Sequence, residues 1–513
     1  MNRSPSALRN TFFSSAGIYT EYVLGMLTSI LIARHLGPHS FGVYSMVIWL
    51  VSVGMTMTNA GSSTALIKFV AELRGSGRED LVQPLLKYLR GTQRTCLLLV
   101  LVAAGLLSAF AGARLLPDFN RLALFGLLGL TIGLRAPYMF NISLGKGLEN
   151  FRATATVAMV ATPLNLAMVV VAWWLNAPMG VFLGVFAISS AVFYGVSHYQ
   201  TVRLVPMSTV AHLPPELKRR IVRHMRYAAV TVTVGFVAAS DVGVLLLNLF
   251  ASSAAAGQFK VAFQLSAGAA LLLPGVVGAL MLPMMANALS QGLSMAGRRF
   301  VGATSYLMLL AAPLVGFGLV FAPAVIGLLY GPSYAAAAPV FATCLFGAAL
   351  GTVAQAGSSL LLSADRQRSI MLLVLANAAV KLLLDVVLTV RYGLAGAVAS
   401  YAITSVLTAG AVVALAMGTS GLGLDWSRLA RIVAAAALAA LAAFPVRGLW
   451  TPFPTLVLGS ALLAGTYFLL TFALGCWSGD DIEHMQRMHR RVPNVPGLAA
   501  LLAWADKRAC RGS

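Results

Sequence analysis

Long apolar runs, separated by short polar or Gly/Pro-containing turns, fill the chain from residue 11 to residue 475. Each run is about 20 residues or more, enough for an α-helix to cross about 30 Å of hydrocarbon at about 1.5 Å per residue. Fourteen are expected, at about 11–34, 40–62, 95–116, 121–142, 153–175, 179–200, 227–250, 259–286, 301–329, 335–362, 370–390, 394–417, 429–449 and 454–475. A membrane β-barrel would instead alternate apolar and polar residues over segments of about 10. Unbroken apolar runs favour helices, whose backbone hydrogen bonds close within the segment. The stretch from Ile32 to Ser45 is the most informative of the turns. Its Gly37-Pro38 pair joins two membrane-length runs with no room for soluble structure, so the chain re-enters the bilayer at once. The first run holds Glu21, exceeds a signal-peptide core in length and lacks a small-x-small cleavage site, so it reads as an uncleaved first helix. Pro137, Pro163, Pro274 and Pro313 fall inside runs and read as kinks.

Composition strengthens this picture. Of 513 residues, 59% are hydrophobic and 10% charged, and mean hydropathy is +0.85. Soluble domains carry about 25% charged residues. The net charge of +21 would suggest nucleic acid in a soluble protein. Here the basic residues gather in loops on one side, with 28 of the 36 on that side and 6 on the other, and Arg135 and Lys381 inside runs. By the positive-inside rule both termini are expected in the cytoplasm, in a multi-pass inner-membrane protein. No nucleic-acid motif accompanies the charge. Cys96, Cys344, Cys476 and Cys510 show no paired spacing and lie off the outer loops, so no disulfide is expected.

The larger polar segments, 65–94, 201–226 and 476–513, all fall on the cytoplasmic side. Within the first, Leu81, Val82, Leu85, Leu86 and Leu89 share one helical face beside Arg78, Lys87 and Arg90. That pattern predicts an interfacial helix lying on anionic lipid.

The sequence also repeats. A shift of 215 aligns Leu31 with Leu246, Gly42 with Gly257, Tyr44 with Phe259 and Phe119 with Tyr334; a shift near 216 aligns Gly180 with Gly396. The expected architecture is therefore all-α, with two pseudo-symmetric six-helix bundles at 1–200 and 227–417. A basic cytoplasmic linker at 201–226 joins them. Helices thirteen and fourteen follow at 429–475, with a cytoplasmic tail at 476–513. An even number of helices per unit makes the repeat parallel, with its axis along the membrane normal.

The hairpin Ala33-Arg34-His35-Leu36-Gly37-Pro38-His39-Ser40-Phe41-Gly42-Val43-Tyr44 resembles the opening turn of the polysaccharide exporters, O-antigen flippases among them, of the multidrug/oligosaccharidyl-lipid/polysaccharide superfamily. Gly61 through Lys68-Phe69-Val70-Ala71-Glu72 is similar to the exit from that family's second helix. Asp241 with Gly257-Gln258-Phe259, and Tyr392-Gly393-Leu394-Ala395-Gly396-Ala397, match further positions in order. The matches cover about 1–417, and fourteen helices fit the polysaccharide branch better than the twelve of most drug exporters. The resemblance implies a flippase that moves a polyprenyl-pyrophosphate-linked oligosaccharide between leaflets. It would work by alternating access, driven by an ion gradient (H+ or Na+) with no nucleotide or other cofactor. Its partners would be the lipid-linked substrate, membrane lipids, and the polymerase and chain-length machinery that use the product.

Such a cargo sets chemical requirements. A pyrophosphate and hydrated sugars do not cross hydrocarbon unaided, because desolvating them costs many kcal/mol. A polar cleft with cationic groups is needed, and ionisable residues inside spans mark such pathways. The chain has few: Glu21, Arg135, Asp241, Lys381 and Asp385. Arg135, just before Pro137, is a candidate pyrophosphate contact, since guanidinium meets phosphate oxygens bidentately; a structural bridge to Glu21 or Asp241 is the alternative. Lys381 is a second candidate cationic contact, although its spacing from Asp385 fits an ion pair within one helix. Asp241 and Glu21, in the first helices of the two bundles, are candidates for ion coupling. Arg34 reads as a headgroup contact. His35 and His39 straddle the Gly-Pro break and make a poor metal pair, so no metal is assigned. Gly145-Lys146-Gly147 lacks the remainder of a phosphate-binding loop and gives no support for ATP.

Four other readings compete. A multidrug or cation antiporter of the same superfamily would favour acids and aromatics over cations in its cleft. A lipid II flippase would share the cationic cleft. A membrane glycosyltransferase or polysaccharide polymerase would need a large catalytic loop, and no outer loop here exceeds about ten residues. A passive scaffold would leave the buried charges without a purpose.

Overall fold

The structure, a computed structural model, describes residues 5–110, 112, 120–202, 212–239, 242–272, 275–449 and 451–477. Among the described residues there are fifteen α-helices and no strand. They are α1 (Pro5–Asn59), α2 (Ser62–Gly75), α3 (Val82–Phe110), α4 (Arg121–Gly147), α5 (Phe151–Trp174), α6 (Met179–Val202), α7 (Pro215–Ala239), α8 (Val242–Phe250), α9 (Ser253–Leu272), α10 (Gly275–Ser290), α11 (Leu293–Tyr330), α12 (Ala337–Ser363), α13 (Gln367–Ser420), α14 (Trp426–Ala443) and α15 (Pro452–Ala473).

Ten helices among the described residues are long and apolar enough to cross a membrane. Two of these, in α1 and α13, each cover two of the expected spans, so twelve of the fourteen expected segments are accounted for. The spans expected at 227–250 and 259–286 fall on α7 to α10, with residues 240–241 and 273–274 outside those described. The double spans have a common cause. In α1 the helix is broken only at Gly37 (φ 72°, ψ 171°) and in α13 only at Gly393 (φ 56°, ψ −128°). Positive φ is open to glycine at no steric cost, so one residue redirects the chain between two spans.

Packing divides the chain into two compact units, Met1–Val261 with Ala378–Ala397, and Ala262–Asn377 with Val398–Ser513. In the first, Val43, Met46, Val47 and Val51 of α1 pack with Leu124, Leu128 and Ile132 of α4. Buried amides tie three helices at one point. Gln93 Nε2 donates to Asn59 Oδ1 (2.8 Å) and to the Ala136 carbonyl (3.0 Å), and Asn59 Nδ2 donates to the same carbonyl (3.1 Å). That carbonyl immediately precedes Pro137, the residue that disturbs the α4 ladder.

One expectation is corrected here. Leu81, Val82, Leu85, Leu86 and Leu89 do not lie on lipid; they are buried with Phe69 of α2, Phe140 and Leu144 of α4, and Leu217 and Ile221 of α7. The amphipathic face is real, but protein covers it. Residues of α2, α4 and α7 supply the apolar area that lipid would otherwise supply.

In the second unit, Met281, Met285, Phe300, Leu307, Leu360 and Val412 form one core. Helices α14 and α15 pack on α11, where Ile432, Ala435 and Ala439 meet Leu309, and Tyr467 Oη donates to the Leu309 carbonyl at 2.8 Å. The alanine-rich face of α14 allows this close approach, as small residues do between membrane helices.

Candidate functional site

Arg135 is the centre of the best-defined polar arrangement inside the first unit. Its guanidinium carbon lies 4.5 Å from the ring centre of Phe193, 4.9 Å from Phe186 and 5.8 Å from Tyr138. Phe186, Ser190 and Phe193 come from one face of α6, at spacings i, i+4 and i+7, so a single helix presents two rings and a hydroxyl to the cation. Tyr138 lies one turn beyond Arg135 on α4 and packs edge-on to Phe193 (5.1 Å, 64°). Ser190 donates its hydroxyl to the Phe186 carbonyl (2.7 Å) and accepts the Nε–H of Arg135 (3.0 Å).

Each ring face carries negative potential, and a cation over such a face gains about 0.5–2 kcal/mol depending on desolvation. The box therefore holds a positive charge without a carboxylate. Among the described residues no acidic side chain lies within 4 Å of the Arg135 guanidinium. Glu21 is within electrostatic reach of both Arg135 and Tyr138 but makes no ion pair with Arg135, and it is exposed. Tyr44 also lies within the field of Arg135. Of the five N–H groups of the guanidinium, only Nε–H has a hydrogen-bond partner among the described residues. The two Nη groups are the edge that forks an oxyanion.

The other expected site residues fall differently. Lys381 and Asp385 form an ion pair one turn apart on α13, with side chains 13% and 3% exposed, so the lysine's charge is neutralised within its own helix. Asp241 lies outside the described residues. His35 Nε2 contacts the Ala177 carbonyl at 2.9 Å and its ring tilts against Phe182, so the first histidine of the Gly-Pro turn is engaged by protein. Phe186, Ser190, Phe193 and Tyr138 were not singled out from the sequence, and Tyr44 was named there only in the hairpin and the repeat. The only signal for the α6 residues was that helix's aromatic stripe, a pattern that ordinarily marks packing.

The fold is shared with known transporters. The inward-closed structure of the lipid II flippase MurJ superimposes with a TM-score of 0.71 at 10% identity, covering 90% of this chain and 98% of that one. An inward-facing multidrug transporter of the MATE family, of the same superfamily, gives 0.63 at 12% identity, covering 80% and 98%. A superfamily transporter from Pyrococcus furiosus, described as having a binding pocket of reverse polarity, gives 0.51 at 12% identity, covering 81% and 96%. No curated protein matches the chain by sequence. The family model described as polysaccharide biosynthesis protein matches residues 7–289, more than half of the chain. With its helical, multi-pass architecture and the fold of these transporters, the chain belongs to the polysaccharide biosynthesis protein family.

Proposed function

We propose that this chain is a flippase that carries a polyprenyl-pyrophosphate-linked oligosaccharide across the cytoplasmic membrane by alternating access. One observation carries the reading: the Arg135 guanidinium is held by aromatic faces and Ser190, with its Nη edge free of protein acceptors among the described residues. A pyrophosphate oxygen pair fits that edge, because charge-assisted, bidentate hydrogen bonds match guanidinium geometry. A cationic drug does not fit it, since like charges repel. The polyprenyl tail stays in hydrocarbon, so only the head group needs a polar path.

Lys381 contributes less to this reading, because Asp385 neutralises it. Ion coupling through Glu21 or Asp241 is part of the proposal: a carboxylate that takes up H+ or Na+ changes the field at Arg135 and so weakens or strengthens its hold on the anion. The family membership supports a product used in polysaccharide assembly. The test is translocation of a short-chain pyrophosphate-linked oligosaccharide in proteoliposomes without nucleotide. Movement dependent on the protein and on an imposed gradient supports the reading. Absence of movement, with ready transport of a cationic dye, would replace it with drug export. Lipid II carries the same pyrophosphate, and rescue of a strain depleted of its lipid II flippase would assign that cargo instead.

A further inference from the structure

The same helix that helps bury the leucine face of α3 carries an unneutralised basic stripe on its other side. On α7, Leu217 and Ile221 face the core shared with α2 and α3. Arg220, at the edge, pairs with Glu72 of α2 at 2.9 Å. On the far face Arg219, Arg223 and Arg226 are exposed; Lys218, also exposed, flanks them with its Nζ 5.4 Å from the ring centre of Tyr88 on α3, and among the described residues none of the four lies within 4 Å of a carboxylate. They line a groove of about 840 Å³ that continues into Tyr227 and Val230.

Two features identify what this groove is built for. Four cations crowd two turns of one helix, where like charges at i,i+4 destabilise each other. A neighbouring anion removes that repulsion, and Arg220 already shows the local solution where a glutamate is present. The stripe then changes character along the helix axis: basic residues give way to Tyr227 (71% exposed) and Val230 (58% exposed). An order of cation, tyrosine and aliphatic residue matches the passage from phosphate to headgroup to acyl chain at a membrane surface.

We infer that the exposed face of α7 is a binding site for the phosphodiester headgroups of anionic phospholipids in the adjoining leaflet. Lys218, Arg219, Arg223 and Arg226 contact the phosphates, and Tyr227 and Val230 sit at the headgroup–acyl boundary. The lipid-facing role that the sequence suggested for residues 81–89 thus belongs to α7, with 81–89 packed behind it. This inference does not depend on the identity of the cargo. It gives the α2–α3–α7 assembly a fixed seat on the membrane surface, salt-sensitive as such contacts are.

The full-length protein in nanodiscs of phosphatidylcholine containing spin-labelled phosphatidylglycerol, compared with spin-labelled phosphatidylcholine, gives the relative association of the two lipids. The wild type is expected to prefer phosphatidylglycerol. Replacing Lys218, Arg219, Arg223 and Arg226 by Gln should cut that preference at least about fivefold. Removing equal charge elsewhere, by replacing the exposed Arg298, Arg299, Arg366 and Arg368 by Gln, should leave it within about twofold. If the quadruple variant does not fold, Arg223→Gln and Arg226→Gln are read singly, and each should lower the preference. Unchanged preference in the α7 variants, or equal loss in the charge-matched control, would overturn the inference. Displacement of phosphatidylglycerol by inorganic pyrophosphate, but not by NaCl of equal ionic strength, would overturn the lipid assignment in favour of a soluble diphosphate.

Discussion

Gly42 and Gly257 pack reciprocally. A Cβ at Gly42 would lie 1.8 Å from the Ser253 carbonyl oxygen, and one at Gly257 would lie 2.0 Å from that of Pro38. Positions 38 and 253, like 42 and 257, differ by the 215 residues of the sequence repeat. Each of these two segments therefore offers its carbonyl to the other's glycine. Contacts this close bring Cα–H groups against carbonyl oxygens, a recurrent feature of glycine-mediated helix packing.

That contact makes Gly257→Ala costly, because the obstacle is backbone and has no rotamer to shift. A loss of about 2 kcal/mol or more is expected, at the level of overpacked cores. Gly25→Ala, with nothing within 4 Å of the added methyl, should cost no stability and gain up to about 1 kcal/mol from helix propensity. Thermal unfolding of the purified proteins in one detergent measures both. Equal behaviour of the two variants would show that the reciprocal contact is not tight.

The amide node at Ala136 should behave as a unit. Gln93→Leu removes a donor from both Asn59 Oδ1 and the Ala136 carbonyl. Hydrogen bonds between membrane helices average about 0.6 kcal/mol and reach about 1.7. Serving two acceptors places Gln93 at the upper end, and unfolding of Gln93→Leu and Asn59→Leu, alone and combined, should show a double loss smaller than the sum of the single losses.

The aromatic box predicts coupling between Arg135 and Phe193. Phe193→Leu keeps an apolar side chain but removes the ring face. A double-mutant cycle on unfolding with Arg135→Ala should give a coupling of about 1 kcal/mol. Additive effects would mean that the rings contribute only packing.

His224 gives the α2–α7 junction a pH dependence. Its ring packs edge-on to Phe69 (5.7 Å, 87°), and its Nε2 is buried with no hydrogen-bond partner among the described residues. Desolvation, and secondarily the charge of Lys68, hold its pKa below the usual 6.5. A depressed pKa means the folded protein binds a proton less readily than the unfolded chain. Full stability is therefore present above pH 6.5 and falls as pH drops below it. His224→Phe should flatten the decline in unfolding temperature between about pH 7 and 5; an unchanged slope would exclude His224 as its source.

The sequence carried much of this, for identifiable reasons. Apolar runs predict helices because the bilayer allows little else, and the glycine breaks at 37 and 393 were legible as turns between spans. The 215-residue spacing of Gly42 and Gly257 could be read from the sequence, although their mutual contact needed coordinates. The 81–89 face was read correctly as amphipathic and assigned to lipid, since periodicity gives a face but not what covers it. Phe186, Ser190 and Phe193 were missed because an aromatic stripe at helical spacing looks the same whether it packs a core or holds a cation. The identity of the partner on the neighbouring helix decides, and that is tertiary information.

The most direct measurement is the protein-dependent translocation of a pyrophosphate-linked oligosaccharide in proteoliposomes carrying wild type, Arg135→Lys or Arg135→Ala, with insertion matched. Loss of a forked, charge-assisted contact is expected to lower the rate at limiting substrate about 10- to 100-fold in Arg135→Ala. Arg135→Lys, which keeps the charge but not the fork, should fall between. Wild-type rates in Arg135→Ala would contradict the assignment of the phosphate contact, and with it the central claim.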